Sequence, residues 1–125
     1  MMMRQRPLSP HLQVYRLPLT GILSICHRIS GFALFFSLLI FVCWLAVLSH
    51  SEDCYRWSFD FFGALIGQAI IWLSVFAFFY HFSNGIRHMI WDCGYGFEKT
   101  TSYRSSVLVI VASIILTLLV WSFCS

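Results

Sequence analysis

The chain has 125 residues, 59% hydrophobic and 10% charged, with a formal net charge of +3. Soluble domains carry about 25% charged residues, and small domains leave much of their surface exposed. So much apolar surface excludes a freely soluble domain, and the dispersed basic residues exclude a nucleic-acid-binding patch.

Residues 1–19 hold Pro7, Pro10 and Pro18, which break any long helix. This segment reads as a cytoplasmic-side stretch lying along the membrane and packing under partner subunits. It does not read as a cleavable signal. The apolar stretch behind it is longer than a signal core of about 7–15 residues and shows no small-residue cleavage pattern.

Charge placement then sets the architecture. No Asp, Glu, Lys or Arg occurs from Ile29 to Ser51, from Phe61 to Ile86, or from Ser105 to Ser125. A spanning helix needs about 20 apolar residues to cross about 30 Å of hydrocarbon. The chain is therefore predicted to be an all-α membrane protein, one domain over 1–125, with spans at about 20–49, 61–91 and 103–124. Lys and Arg number four before the first span's core, one in the first loop and three around the second. By the positive-inside rule, the N-terminus and second loop are cytoplasmic.

Helix 1 is expected to start near Thr20 as its N-cap. Ser24, His27, Arg28 and Gly31 follow at i, i+3, i+4 and i+7, one helical stripe at the inner boundary. Arg28 alone reads equally well as snorkelling to head groups. Three polar groups on one stripe favour a shared site, and Gly31 leaves room for another group to approach.

The stretch from His50 to Asp60 reads as a short acidic loop, with Tyr55 and Trp57 at the interface. Helix 2 opens with Gly63-x-x-x-Gly67, a spacing that permits close helix packing but arises easily by chance. Further on, His81, Gly85, His88 and Asp92 form a second stripe. His81 lies within the hydrocarbon, and His88 lies about 10 Å nearer the inner surface. Asn84 and Arg87 flank the stripe. Helix 3 carries only Ser and Thr hydroxyls, which can bond back to the preceding turn. The five cysteines form no C-x-x-C pair. They read as small buried hydrophobes, with a Cys54–Cys124 disulfide as the weaker alternative.

A histidine at membrane depth is a functional candidate. It can bond a neighbouring helix, relay protons or ligate a metal. Relays use several titratable groups in series, and helices 1 and 3 offer no acid at depth. Haem fits best among metals, because imidazole is a standard axial ligand and a porphyrin is at home between helices. Gly85 would spare the macrocycle a side chain, and His27 and Arg28 would meet the propionates. One helix cannot put two histidines on opposite faces of one haem, so a second imidazole would come from a partner. Ser24 and Arg28 also suit a quinone carbonyl, with Arg28 favouring the negative charge that develops on reduction.

Three stretches, Arg6-Pro7-Leu8-Ser9-Pro10-His11-Leu12, Ser24-Ile25-x-His27-Arg28-x-Ser30-Gly31 and His81-x-x-x-Gly85-Ile86-Arg87-His88-x-x-x-Asp92-x-Gly94, closely resemble the cytochrome b556-type membrane-anchor subunit of succinate dehydrogenase, respiratory complex II. The resemblance covers the whole chain. It implies a bacterial inner-membrane complex with a flavoprotein, an iron–sulfur subunit and a second three-helix anchor that completes the bundle. It also implies one haem b shared between the anchors and a ubiquinone site. His81 corresponds to the haem iron ligand, His27 and Arg28 to the propionate side, Ser24 and Arg28 to ubiquinone contacts, and residues through Tyr15 to iron–sulfur-subunit contacts. The chain itself lacks a dinucleotide fingerprint and a cluster-binding cysteine set, so it is not the dehydrogenase. A fumarate reductase anchor and a haem-free structural anchor are the competing readings.

Overall fold

The computed structural model describes residues 16–49 and 51–124; the expectations placed on residues 1–15 and on His50 lie outside them. Four helices follow in order: α1 (Leu19–Leu48), α2 (Glu52–Gly63), α3 (Leu65–Asp92) and α4 (Lys99–Cys124). The described residues form no strand. Helices α1, α3 and α4 are each long and apolar enough to cross a membrane. Their flanks are unlike a soluble surface: Phe32, Leu73, Leu108 and many other large apolar side chains are exposed. The chain is a multi-pass membrane protein.

Helix α1 starts at Leu19, with Pro18 rather than Thr20 as its N-cap. Pro18 is extended, and its carbonyl accepts from the Gly21 and Ile22 amides at 2.9 and 3.2 Å. The fixed proline φ suits a helix start, and the cap lies two residues further out than expected. At the same end of the bundle α4 begins at Lys99, four residues before the expected Tyr103. Its first turns carry Lys99 and Arg104 clear of the apolar run.

The expected first loop is instead largely α2. Ser51 caps it, its Oγ accepting from the Cys54 amide at 3.2 Å. Glu52 and Asp53 occupy the first turn, where acids complement the helix dipole. Glu52 and Arg56 pair at 3.0 Å one turn apart, both exposed, so the pair adds little. Charges that read as loop residues are thus a helix-start signal. Tyr55 and Trp57 are both exposed on this helix.

Gly63 and Gly67 do not share a helix. Gly63 ends α2, Ala64 is extended, and Gly67 lies in the first turn of α3. A Cβ on Gly63 would meet nothing within 4 Å, whereas one on Gly67 would collide with the Phe61 carbonyl and the Phe62 backbone. The spacing therefore makes an elbow within the chain, not a helix-packing stripe.

Helix α3 packs against both α1 and α4. Leu23, Tyr80 and Val109, one from each, form the buried apolar cluster. Hydroxyls of α4 bond back along the helix as expected: buried Ser113 to the Val109 carbonyl at 2.6 Å and half-buried Thr117 to that of Ser113 at 2.8 Å. On the far half, Ser37 and Ser74 are joined at 2.9 Å beside an apolar cavity of about 350 Å³ lined by Trp44, Phe62 and Ile70. The cysteines are free; Cys26, Cys43, Cys93 and Cys124 are exposed and Cys54 half-buried, so neither the buried reading nor the Cys54–Cys124 disulfide holds. The α3–α4 turn ends α3 with Gly94 and Gly96 at φ 88 and 84. The Gly94 amide donates to the Trp91 carbonyl and that of Tyr95 to the Ile90 carbonyl, a Schellman cap.

Candidate functional site

The site lies where the N-terminal half of α1 meets the C-terminal half of α3. Gly31 lets α3 come close: a Cβ there would sit 2.9 Å from His81 Cε1. The group that uses the space over Gly31 is therefore the His81 imidazole. Its Nδ1 is 3.1 Å from Ser30 Oγ and 3.2 Å from the His27 carbonyl. Ser30 is buried, and its hydroxyl also donates to the His27 carbonyl at 2.8 Å.

The His27 ring stacks on His81, with centroids 4.0 Å apart and planes 13° apart. It also meets His88 at 5.1 Å, tilted by 42°. His88 in turn sits edge-on to Trp91. His81 and His88 are two turns apart on α3, and His27 bridges them from α1. His88 is thus joined to the His81 group through His27, while Asp92 stays exposed outside it. Gly85 faces His27, and a Cβ added to it would fall 3.9 Å from His27 Cε1. That is an ordinary van der Waals distance, so the ring and the helix backbone meet there without crowding.

The stripe Ser24, His27, Arg28 and Gly31 divides. His27 and Gly31 turn toward α3. Arg28 is exposed and Ser24 half-buried, and neither side chain has a hydrogen bond among the described residues. An exposed guanidinium and a hydroxyl one turn apart, at the entrance of a span, leave donors available to a ligand.

A second polar group lies behind the histidines. Tyr80 and Asn84 both donate to the Leu23 carbonyl of α1, at 2.8 and 3.3 Å. Arg87 Nη1 donates to Asn84 Oδ1 at 3.2 Å, and its guanidinium carbon lies 4.1 Å over the Trp91 ring. Arg87 is only 4% exposed, and its Nε and Nη2 have no partner among the described residues. Sequence spacing set Asn84 and Arg87 beside the histidine stripe at the inner boundary. Their burial depends on α1 offering a carbonyl at Leu23, which no local pattern announces. Removing one partner of a buried hydrogen-bonded group costs about 1–3 kcal/mol, more near a charge. Asn84→Ala, which leaves Arg87 on the Trp91 face alone, is expected to lower the thermal midpoint of the assembled protein by an amount equivalent to about 2–3 kcal/mol. A midpoint equal to wild type refutes this anchoring role.

Among the described residues, no group of three His, Cys, Asp or Glu side chains could hold a bare metal ion. A histidine with one ring nitrogen oriented and the other free of hydrogen bonds can still give one ligand to a metal held by another framework.

Three apolar spans with an imidazole cluster between two of them define a helical integral-membrane protein with a polar site at one end. The chain belongs to the succinate dehydrogenase/fumarate reductase transmembrane subunit family, whose model matches residues 2–120. It is similar to the succinate dehydrogenase cytochrome b556 subunit of Rickettsia felis, 42% identical over 94% of this chain and 91% of the relative. The corresponding subunit of Paracoccus denitrificans is 40% identical over 91% of this chain and 88% of the relative. The cytochrome b560 subunit of Reclinomonas americana is 32% identical over 93% and 84%.

Proposed function

We propose that this chain is a membrane-anchor subunit of a succinate:ubiquinone oxidoreductase in a bacterial inner membrane, with its N-terminus cytoplasmic. It holds one haem b through His81 and forms part of the ubiquinone site with Ser24 and Arg28. A flavoprotein, an iron–sulfur subunit and a second three-helix anchor complete the complex. Relatives named as succinate dehydrogenase subunits favour the dehydrogenase direction over fumarate reduction.

The observation that carries the haem reading is the bonding of His81. Nδ1 is occupied by Ser30 and the His27 carbonyl, while Nε2 has no hydrogen bond among the described residues. Metal-bound histidines characteristically engage their other ring nitrogen in this way. The stacked His27 does not compete as the opposite ligand. Two imidazoles lying face to face cannot aim nitrogens at one iron from opposite sides, which supports a ligand from the partner anchor. When bound, haem b supplies one-electron redox chemistry within the membrane. His27 and Arg28, at the inner end of α1, are the groups of this chain suited to its propionates.

For ubiquinone, Ser24 and Arg28 offer a hydroxyl and a cationic fork at the membrane edge. Charge-assisted hydrogen bonds are worth about 1.5–3 kcal/mol, or roughly ten- to a hundredfold in rate when made to developing charge. Arg28→Leu is expected to slow succinate-driven ubiquinone reduction by at least about tenfold, and Ser24→Ala by less. Succinate oxidation by a water-soluble artificial acceptor should persist in both. Wild-type quinone kinetics in Arg28→Leu refute the assignment.

A further inference from the structure

We propose that Ser30 is a positioning residue for His81: with the His27 carbonyl it fixes which ring nitrogen carries the proton and which way the ring faces. The inference rests on the haem reading above and assigns a role to a residue outside the ligand set.

Counting protons assigns the tautomer. A serine hydroxyl has one hydrogen, and that of Ser30 goes to the His27 carbonyl at 2.8 Å. Toward His81, 3.1 Å away, Ser30 Oγ can then only accept. The His27 carbonyl, 3.2 Å from the same Nδ1, can accept and nothing else. Two acceptors face Nδ1, so Nδ1 carries the proton. In the neutral ring Nε2 is then left with its lone pair, the form a metal requires. The reverse tautomer would set the Nδ1 lone pair against a carbonyl oxygen at 3.2 Å.

The same contacts fix the ring's direction. Ser30 is 7% exposed, so its hydroxyl has no water to turn to. The His27 ring covers one face of His81 at 4.0 Å, and the absent Gly31 side chain admits its Cε1 edge. Rotation of the imidazole breaks the Nδ1 bonds, lifts the stack or drives the ring against α1. Donation from Nδ1–H to two acceptors also makes Nε2 a stronger electron donor to a bound metal, which favours the oxidised metal.

The test uses the assembled membrane complex. Ser30→Ala removes the acceptor, Ser30→Cys removes most of it at nearly constant volume, and Ser30→Thr keeps the hydroxyl, which can still bond the carbonyl three residues back. The midpoint potential of the b-type haem is measured by redox titration at equal haem content, with the low-spin electron paramagnetic resonance of the oxidised state beside it. The potential should shift upward and the resonance should move in Ser30→Ala and Ser30→Cys, with Ser30→Thr close to wild type. Unchanged potential and resonance in the variants that assemble overturn the proposal, as does an equal shift in Ser30→Thr. His81→Ala run in parallel separates the two claims. If it retains the wild-type haem spectrum, the ligand reading fails and this inference fails with it. If it loses the spectrum while the Ser30 variants match wild type, only the positioning role fails.

Discussion

Replacing His81 with alanine should abolish the b-type signal in the reduced-minus-oxidised spectrum of the assembled complex. The loss should be large. Removing an outer-shell partner of a metal ligand costs about 10–100-fold in affinity, and removing the ligand itself costs more. The neighbours offer no easy substitute. His27 is committed face-on to the space His81 occupies, and His88 lies two turns away against Trp91. His81→Met gives a sharper version, because a thioether can ligate haem iron and raises its potential. That variant should retain a signal of altered position and higher potential. Full wild-type signals in both variants would sink the ligand assignment and leave His81 as a hydrogen-bonding residue between helices.

The second large effect is expected far from the histidines, at Gly67. A methyl group there would occupy the position of the Phe61 carbonyl and the adjoining backbone, neither of which can turn aside like a flexible side chain. Overpacking in a tight site costs about 1–3 kcal/mol and more where backbone must move. Gly67→Ala should open the elbow between α2 and α3, cutting the amount of assembled complex severely and lowering its thermal midpoint. Gly63→Ala is the control. Its added carbon meets open space at the last residue of α2, where the backbone is helical and alanine fits, so it should be neutral or slightly stabilising. If the two glycines acted together as a packing stripe, both substitutions would destabilise. Equal losses in the pair would overturn the elbow reading.

Much of this was legible in the sequence, for a definite reason. Lipid forbids unpaired charge over a span, so the gaps between charged residues mark out the three long helices. What the gaps could not show was the behaviour of charges outside them. Ser51, Glu52 and Asp53 read as an acidic loop, yet their order is that of a capped helix start. At the site, His81 stood out because an imidazole at depth has few reasons to be there, and His27 because it shares a stripe with Ser24 and Arg28. Ser30 did not, because a helical serine ordinarily bonds its own helix and needs no further explanation. It does bond the His27 carbonyl, and only the crossing of α3 over Gly31 brings His81 Nδ1 to the same oxygen. Spacing sets Arg87 only as flanking the histidine stripe, and spacing alone could not show that it turns inward to Asn84 and Trp91.

The paired hydrogen bonds from Tyr80 and Asn84 to the Leu23 carbonyl bear on the order in which a complex is built. These bonds, and the stacking of His27 on His81, lie wholly within one chain. The conformational freedom of the imidazole is therefore lost when this chain folds. Under the proposed haem reading, capture of the group would need little further ordering on this side, and preorganisation of that kind strengthens association. On that reading, a chain newly inserted in the bilayer would already be a competent half-site.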